Sequence, residues 1–212
     1  MTTLTSVSEA VAEIVRNHSR QAEQETRCSE ESCLEIGEFL KSCGYFPLNR
    51  KLFDTLCKFG ASALDGNSRK GLFLRGDVGI GKTFGLQLLA ARFGWKFVTA
   101  REIEGFFRTQ PEYAEWVEYC RAADFFGRGK TLVIDDLGTE NEDFMQYGQR
   151  ANPLAELLEK RYDLSYHRDR VRTVVTSNLT DQQLKERYGF RVFDRLREMF
   201  AVVTVKGESL RK

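Results

Sequence analysis

The sequence predicts an α/β fold in which a parallel five-stranded sheet lies between two layers of helices. From residue 71 onward, short apolar runs alternate with segments of helical periodicity, the pattern of strands and helices that alternate along the chain. One run leads into a glycine-rich segment and another ends in paired acids, as expected where parallel strands end at a site. The predicted strands are 72–74, 97–99, 131–134, 173–176 and 202–205. The predicted helices of this part are 83–93, 101–108, 111–123, 153–163, 181–188 and 191–199.

A helical region precedes this alternating pattern. Its predicted helices are 5–24, 30–42 and 49–63. The last two are separated by the helix breakers Gly44 and Pro47, and we expect a small N-terminal region at 1–66 and the α/β domain at 67–212. The N-terminal region carries ten Asp and Glu against seven Lys and Arg, whereas residues 160–212 carry seven against thirteen. This asymmetry indicates an acidic or polyanionic partner near the C-terminal part.

Composition excludes several classes of protein. With 212 residues, 42% hydrophobic residues and three prolines, the chain can bury a full core and does not have the composition of a disordered protein. It contains no apolar run near the ~20 residues that cross a bilayer, and its first residues lack the pattern of a secretory signal. Five cysteines at spacings unlike those of zinc sites favour free thiols. We therefore expect a soluble cytoplasmic protein with no membrane partner.

The glycine-rich segment matches a phosphate-binding loop. GDVGIGKT at 76–83 fits the pattern G-x-x-x-x-G-K-[ST], and it follows a predicted strand and begins a predicted helix. Its glycines let backbone N–H groups turn towards phosphate oxygens, and the helix presents its positive N-terminal end to the same anions. Lys82 is expected to neutralise phosphate charge, and Thr83 to hold the Mg²⁺ that bridges the β- and γ-phosphates. The predicted nucleotide-binding residues are Gly76, Asp77, Val78, Gly79, Ile80, Gly81, Lys82, Thr83 and Phe84.

Paired carboxylates follow the third predicted strand, in TLVIDDLGTE at 131–140. Asp135 is expected to hold the metal together with Thr83. Asp136 is expected to orient and deprotonate an attacking water, a role for which Glu140 is a second candidate. The next strand ends at Asn178, which predicts a hydrogen bond to the water or the γ-phosphate; alternatively, Asn178 caps the helix that follows. Together these motifs predict a P-loop ATPase that uses ATP and Mg²⁺.

Three more segments follow these motifs along the chain: VVTSNL at 174–179, LKERYGFRVFDRLREM at 184–199 and GES at 207–209. In this order the whole series resembles the helicase-loader ATPases of the DnaC/DnaI type and the related IstB transposition helpers. Both are AAA+ ATPases, and the resemblance covers about residues 70–210. It implies a AAA+ core without a C-terminal helical lid, since only seven residues follow the last predicted strand.

The resemblance also implies a site that is completed between subunits. In these ATPases an arginine from a neighbouring subunit contacts the nucleotide, and Arg191 and Arg195 match its motif positions. The resemblance does not decide between the two arginines. Alternatively, both form ion pairs with Asp194 or Glu198 on their own helix. A homo-oligomer is expected when ATP is bound.

Two further regions receive roles from the same resemblance. In loader ATPases a helix at the place of residues 101–128 lines the DNA channel, and this insert holds aromatic residues beside arginines. They are Phe106, Phe107, Arg108, Tyr113, Trp116, Tyr119, Arg121 and Arg128. Alternatively, Ile103, Phe106 and Phe107 are spaced as on a helix that packs against the core. Residues 1–66 are, by position, the candidate region for binding a partner protein.

The function that this resemblance implies is ATP-dependent loading of a replicative helicase onto single-stranded DNA. An alternative within the same clade is a transposition helper that assembles on duplex DNA and activates a transposase. A small-molecule kinase is an alternative outside it, for which the sequence shows no evident acceptor site or arginine-bearing lid. A switch that binds ATP and rarely hydrolyses it is another, because Asp136 stands where AAA+ sites usually have Glu. We therefore expect slow turnover.

Overall fold

A computed structural model describes residues 28–47, 49–66, 70–109, 131–141, 145–146, 149–150, 152–166 and 171–210. Its helices are α1 (Glu30–Ser42), α2 (Arg50–Leu64), α3 (Lys82–Phe93), α4 (Ala100–Thr109), α5 (Pro153–Tyr166) and α6 (Asp181–Met199). Its strands are β1 (Gly71–Gly76), β2 (Lys96–Thr99), β3 (Thr131–Leu137), β4 (Met145–Gln146), β5 (Gln149–Arg150), β6 (Arg172–Ser177) and β7 (Phe200–Val205). The helices predicted at 5–24 and 111–123 lie outside the described residues. In the part of the chain described, no helix has the length and hydropathy needed to cross a membrane.

Five strands form one parallel sheet, as the sequence predicts. Its order is β2-β3-β6-β1-β7, and each neighbouring pair is parallel. The strands β4 and β5, two residues each, pair antiparallel in a separate hairpin. The sequence prediction missed this hairpin because so short a strand shows no periodicity.

Two helical layers cover the sheet. The helices α1, α2 and α3 pack on one face, where Leu72 and Leu74 of β1 join their core. The helices α4, α5 and α6 pack on the other face, to which Phe73 of the same strand contributes. This alternation along β1 is that of a strand buried on both sides. The predicted three-layer α/β fold is confirmed, and α1 and α2 from the N-terminal region share a core with the sheet.

Gly189 divides α6 into two halves. The sequence predicts separate helices at 181–188 and 191–199, and the structure joins them across Gly189, whose φ of 82° and ψ of 160° are not helical. The first half begins with a capping box, in which the side chains of Thr180 and Gln183 each accept a hydrogen bond from the backbone N–H of the other. The kink changes the direction of the second half relative to the first.

The helices that follow β1 and its neighbour β6 lie on opposite faces of the sheet. After β1 the chain passes through α3, on one face, to the edge strand β2. The later connections through α4, α5 and α6 lie on the opposite face and lead through β3 and β6 to β7. In open parallel sheets, ligands bind outside the carboxyl ends of the strands, at the point where two neighbouring strands are followed by connections on opposite faces. The carboxyl ends of β1, β3 and β6 are therefore the expected position of a site.

Candidate active site

The predicted phosphate loop connects β1 to α3 at this edge of the sheet. Gly79 and Gly81 have φ values of +83° and +96°, in the left-handed region that residues with a Cβ rarely adopt. A Cβ at Gly76 would lie 1.8 Å from the carbonyl oxygen of Val205 in β7, so only glycine fits there. The helix α3 begins at Lys82 without a hydrogen bond from a capping side chain. No capping side chain competes for its first N–H groups, which in a helix have no acceptor of their own and commonly bind an anion.

Lys82 is buried inside the loop. It is 5% exposed, and its ammonium group donates hydrogen bonds to the carbonyl oxygens of Gly76 and Asp77, both at 2.7 Å. Burial lowers the pKa of Lys82, while the nearby carboxylates of β3 oppose that shift. A protonated lysine in this position supplies a fixed positive charge at the centre of the loop.

Asn178 joins this group from the end of β6. Its Oδ1 accepts a hydrogen bond from Lys82 Nζ at 2.9 Å, so two of the predicted site residues are in direct contact. The alternative interpretation, in which Asn178 caps α6, is wrong because Thr180 occupies the N-cap position.

Asp135 and Thr83, the two predicted metal ligands, lie within hydrogen-bond distance of each other. Thr83 Oγ1 donates to Asp135 Oδ1 at 3.1 Å, and Thr176 Oγ1 donates to the same oxygen at 2.6 Å. Asp135 is 2% exposed. Burial raises the pKa of its carboxyl group, although the two hydroxyl hydrogen bonds counter that shift. Hydroxyl and carboxylate oxygens are the ligands that Mg²⁺ prefers, so the pair fits the predicted role.

Asp136 follows in a backbone conformation that is uncommon for a non-glycine residue, with φ of +53°. Its N–H group donates to Thr176 Oγ1 at 2.8 Å, and its carbonyl oxygen accepts hydrogen bonds from the backbone N–H and the hydroxyl of Thr139. The pairing of β3 with β6 shifts register between Ile134 and Leu137, on either side of this residue. As a result Asp136 lines the cavity that the phosphate loop borders.

Glu140 lies in different surroundings. It is 6% exposed, and its carboxylate accepts hydrogen bonds from Arg187 Nε at 3.0 Å and from the Tyr188 hydroxyl. It does not belong to the lining of the cavity. The prediction that Glu140 could orient the attacking water is therefore wrong, because α6 engages its carboxylate.

The two predicted arginines lie beyond the kink of α6 and outside the cavity of their own chain. Arg195 is held by α5, with its guanidinium 3.0 Å from Glu159 and 4.9 Å from the centre of the Tyr162 ring. Arg191 is 3.2 Å from Glu159, but 75% of its side chain is exposed, against 21% for Arg195. Both arginines therefore pair with Glu159 on α5, and not with Asp194 or Glu198 on their own helix as the alternative interpretation predicted.

A cavity of about 460 Å³ extends from the phosphate loop to the N-terminal helices. The lining of its polar end includes Gly79, Gly81, Lys82, Thr83, Asp136 and Asn178. The lining of its apolar end includes Tyr45, Phe46, Pro47, Val78, Phe84 and Leu210. A cavity with these two ends can accommodate a molecule that carries both phosphates and a flat apolar group.

The loop between α1 and α2 forms much of the apolar end. The buried Tyr45 donates its hydroxyl to the carbonyl oxygen of Gly81 at 3.1 Å, and its ring centre lies 5.9 Å from that of Phe84. Burial raises the pKa of the Tyr45 hydroxyl. Phe46, the next residue, is 70% exposed. The sequence analysis gave this loop no role, although two adjacent aromatic residues between a glycine and a proline were a signal that could have been used.

Fold and site together define the class of protein. A parallel sheet with a G-x-x-x-x-G-K-T loop after β1 and an acidic pair at the end of β3 is the arrangement of a P-loop NTPase. No protein-family model and no curated protein matches the sequence. Among solved structures, one that matches is titled "Structural Basis for DNA Unwinding at Forked dsDNA by two coordinating Pif1 helicases". The match has 12% sequence identity and a TM-score of 0.42, and it covers 76% of this chain and 44% of that one. The geometry of the loop and of the acidic pair defines the class.

Proposed function

We propose that this chain is a Mg²⁺-dependent ATPase. The observation that carries the proposal is the convergence of predicted residues from three strand ends; four of them line the polar end of one cavity, and the fifth, Asp135, is hydrogen-bonded to Thr83. They are Lys82 and Thr83 after β1, Asp135 and Asp136 of β3, and Asn178 after β6. Lys82 is hydrogen-bonded to Asn178 and Thr83 to Asp135, so residues that are far apart in the sequence and of the types required for phosphoryl transfer lie together.

The polar end fits magnesium and a triphosphate. Thr83 and Asp135 would hold the metal, because their oxygens are adjacent and of the kind that Mg²⁺ prefers. Lys82 and the first N–H groups of α3 would bind the phosphate oxygens. When bound, Mg²⁺ offsets the negative charge that develops on the phosphates during transfer.

Asp136 is the residue that we propose to orient and deprotonate the attacking water. It lines the cavity, and the hydrogen bond from its N–H to Thr176 fixes its backbone. Asn178 accepts a hydrogen bond from Lys82, and we propose that it also hydrogen-bonds the same water or the γ-phosphate. The carboxylate of an aspartate reaches less far than that of a glutamate, which supports slow turnover.

The apolar end supports a nucleotide as the ligand, rather than inorganic triphosphate. The exposed Phe46 offers a face on which a purine base can stack. Tyr45 joins its loop to the phosphate loop through the hydrogen bond to Gly81, so the base platform and the phosphate cradle are held at a fixed separation. This arrangement supports ATP.

We further propose that the ATPase acts as a homo-oligomer in which Arg191 completes the site of a neighbouring subunit. Of the two arginines that match the motif, Arg191 has the exposed side chain, whereas Arg195 is packed against α5. A planar guanidinium group suits the dispersed negative charge of a phosphoryl group in transfer.

The proposed cellular role is loading of a replicative helicase onto single-stranded DNA in the cytoplasm. It is supported by the resemblance of residues 70–210 to DnaC/DnaI-type loaders, and above all by the motif at 184–199. Residues 101–128 are the proposed contact with single-stranded DNA, and residues 1–66 the proposed partner-binding region. A transposition helper of the IstB type shares the same motifs but would act on duplex DNA with a transposase.

Two measurements test these proposals. We expect the protein to hydrolyse ATP, single-stranded DNA to stimulate turnover more than duplex DNA, and Lys82→Ala to abolish turnover without loss of helical content by circular dichroism. A Lys82→Ala variant that hydrolyses ATP like the wild type would contradict the ATPase proposal.

Affinity capture from the native host with Asp136→Asn, which is expected to retain ATP, should recover a replicative helicase. Recovery of a transposase instead would favour the transposition helper.

A further inference from the structure

A buried ion pair joins α6 to the loop that follows Asp136. The side chains of Glu140 and Arg187 are 3% and 9% exposed, and Arg187 Nε lies 3.0 Å from Glu140 Oε1. The Tyr188 hydroxyl donates to the same oxygen, and the Arg187 guanidinium also donates to the backbone carbonyl of Glu140. Buried ion pairs add little net stability, because desolvation offsets their attraction. Stability alone is therefore a weak explanation for this cluster.

The carboxylate of Glu140 closes the turn that begins at Asp136. Its second oxygen accepts a hydrogen bond from the Gly138 N–H at 2.9 Å. Gly138 has φ of +101°, and a Cβ there would lie 2.4 Å from a methyl group of Leu179. Thr139 in turn donates two hydrogen bonds to the Asp136 carbonyl oxygen, at 3.2 and 2.9 Å. The turn from Asp136 to Glu140 is thus closed by hydrogen bonds at both of its ends.

The helix α4 holds the same loop from the other side. Arg101 Nε donates to the Thr139 carbonyl oxygen at 3.0 Å. Glu104, which is 6% exposed, accepts hydrogen bonds from the backbone and side-chain amides of Asn141, at 2.9 and 3.2 Å. The loop is therefore clamped between two helices, as a left-handed aspartate requires if it is to keep one conformation.

We infer that Glu140 is a positioning residue for Asp136, and that Arg187 and Tyr188 act through it; this inference rests on the ATPase function proposed above. It gives a physical role to part of the motif at 184–199, whose Arg187 and Tyr188 directly precede the kink at Gly189. Glu140 does not touch the reacting atoms. It sets the direction from which the Asp136 carboxylate meets the water.

Steady-state kinetics of Glu140→Gln test this role. The amide keeps the shape of the side chain but removes the charge that holds Arg187. We expect kcat to fall by about 10- to 100-fold, because a small displacement of a catalytic group has effects of this size, while KM for Mg²⁺-ATP changes by less than about 3-fold. Tyr188→Phe, which removes a single hydroxyl, should lower kcat by about 3- to 10-fold with the same unchanged KM.

A matched control separates positioning from loss of stability. Arg172 is a half-buried arginine at the opposite end of β6, stacked on Phe59 and Trp95, and desolvation lowers its pKa to about 10. Arg172→Met should lower the melting temperature without changing kcat. If Arg172→Met and Glu140→Gln reduce kcat equally in proportion to their loss of stability, the positioning role is overturned.

A double variant covers the case in which Glu140→Gln folds poorly. Glu140→Gln alone leaves the positive charge of Arg187 buried without a counter-ion. Combining it with Arg187→Met removes that charge as well. We expect the double variant to fold and its kcat to be reduced to about that of Glu140→Gln, because both changes act on one pair. A double variant with wild-type kcat would overturn the inference.

The outcomes also separate this inference from the function on which it rests. Wild-type ATP hydrolysis together with unchanged kcat in Glu140→Gln overturns the inference and leaves the ATPase proposal intact. If the wild type does not hydrolyse ATP with Mg²⁺, the proposed function fails, and the positioning role fails with it.

Discussion

Replacing Asp135 by Asn is expected to stabilise the protein without nucleotide and to abolish its stabilisation by Mg²⁺ and ATP. The hydroxyl groups of Thr83 and Thr176 both donate to the same oxygen, Oδ1. An asparagine keeps that oxygen, so both hydrogen bonds survive. What the substitution removes is the negative charge of a side chain that is 2% exposed and whose carboxyl pKa is raised by burial.

The magnitude follows from the cost of this burial. Removing a buried, incompletely compensated charge is worth about 1–3 kcal/mol. For a chain of this length, each kcal/mol moves the melting temperature by about 2–4 °C. The wild type should gain about 2.7 kcal/mol from ligand at 100 times its Kd, and Asp135→Asn should lose most of that gain. The order of stability should therefore reverse: the variant is the more stable protein without Mg²⁺-ATP and the less stable one with it.

The assay is thermal or urea unfolding with EDTA, with Mg²⁺ alone and with Mg²⁺-ATP, repeated across pH. Because the folded pKa of Asp135 lies above its ordinary value of 3.8, the folded state keeps its proton over an interval in which the unfolded state has lost it. Wild-type stability should therefore fall as pH rises from 3.8 through the raised pKa, and the Asp135 contribution to that fall should be absent in the variant.

An exposed aspartate supplies the control. Asp54 on α2 pairs with Arg50, and 53% of its side chain is exposed. Asp54→Asn should change stability by less than about 0.5 kcal/mol and keep the full response to Mg²⁺-ATP. If Asp135→Asn is less stable than the wild type without nucleotide and still responds fully to Mg²⁺-ATP, Asp135 is neither a costly buried charge nor a metal ligand.

Two further predictions concern the ends of the nucleotide. Phe46→Ala should weaken ATP binding by about 5- to 150-fold, because the stacking of one base on an aromatic ring is worth this much. Its affinity for inorganic triphosphate, measured by calorimetry, should not change. Leu34 on α1 is an equally exposed apolar residue, and Leu34→Ala should change neither affinity. Equal losses for both ligands would remove Phe46 from a base site. Arg191→Ala should lower kcat by about 10³-fold, and mixing it with Lys82→Ala subunits should restore part of the activity, because those subunits still supply an arginine. Arg195→Ala should mainly lower the melting temperature, and failure of the mixture to regain activity would exclude a role in trans for Arg191.

Most of the fold and the phosphate end of the site could be predicted because both depend on local patterns. The inner strands β1, β3 and β6 are buried on both faces, so each appears as a short apolar run. The phosphate loop needs glycines at fixed spacing, since a Cβ at Gly76 or Gly79 would meet atoms of β7 or the segment after it. Requirements of this kind are visible in a single sequence.

The apolar end of the site and the surroundings of Glu140 could not be predicted because they depend on contacts between distant segments. The loop that holds Tyr45 and Phe46 reaches the cavity only because α1 and α2 pack on the same face of the sheet as α3. Arg187 lies 47 residues from Glu140, and no spacing rule connects them. As an acidic residue Glu140 was a candidate for a catalytic group, but in the structure it is buried and its carboxylate contacts Arg187 and Tyr188 of α6.

Burial shifts Lys82 and Asp135 in opposite directions, and this pair of shifts indicates what kind of ligand the site fits. It lowers the pKa of the lysine and raises that of the aspartate, so the surroundings favour the neutral form of each. A polyphosphate alone would favour the charged lysine but repel the aspartate, and a divalent cation alone would do the reverse. A cation and a polyphosphate bound together favour the charged form of both. The directions of the two shifts are therefore those expected of the Mg²⁺ and triphosphate site proposed above, and removing the charge of Asp135 is expected to weaken both kinds of binding together.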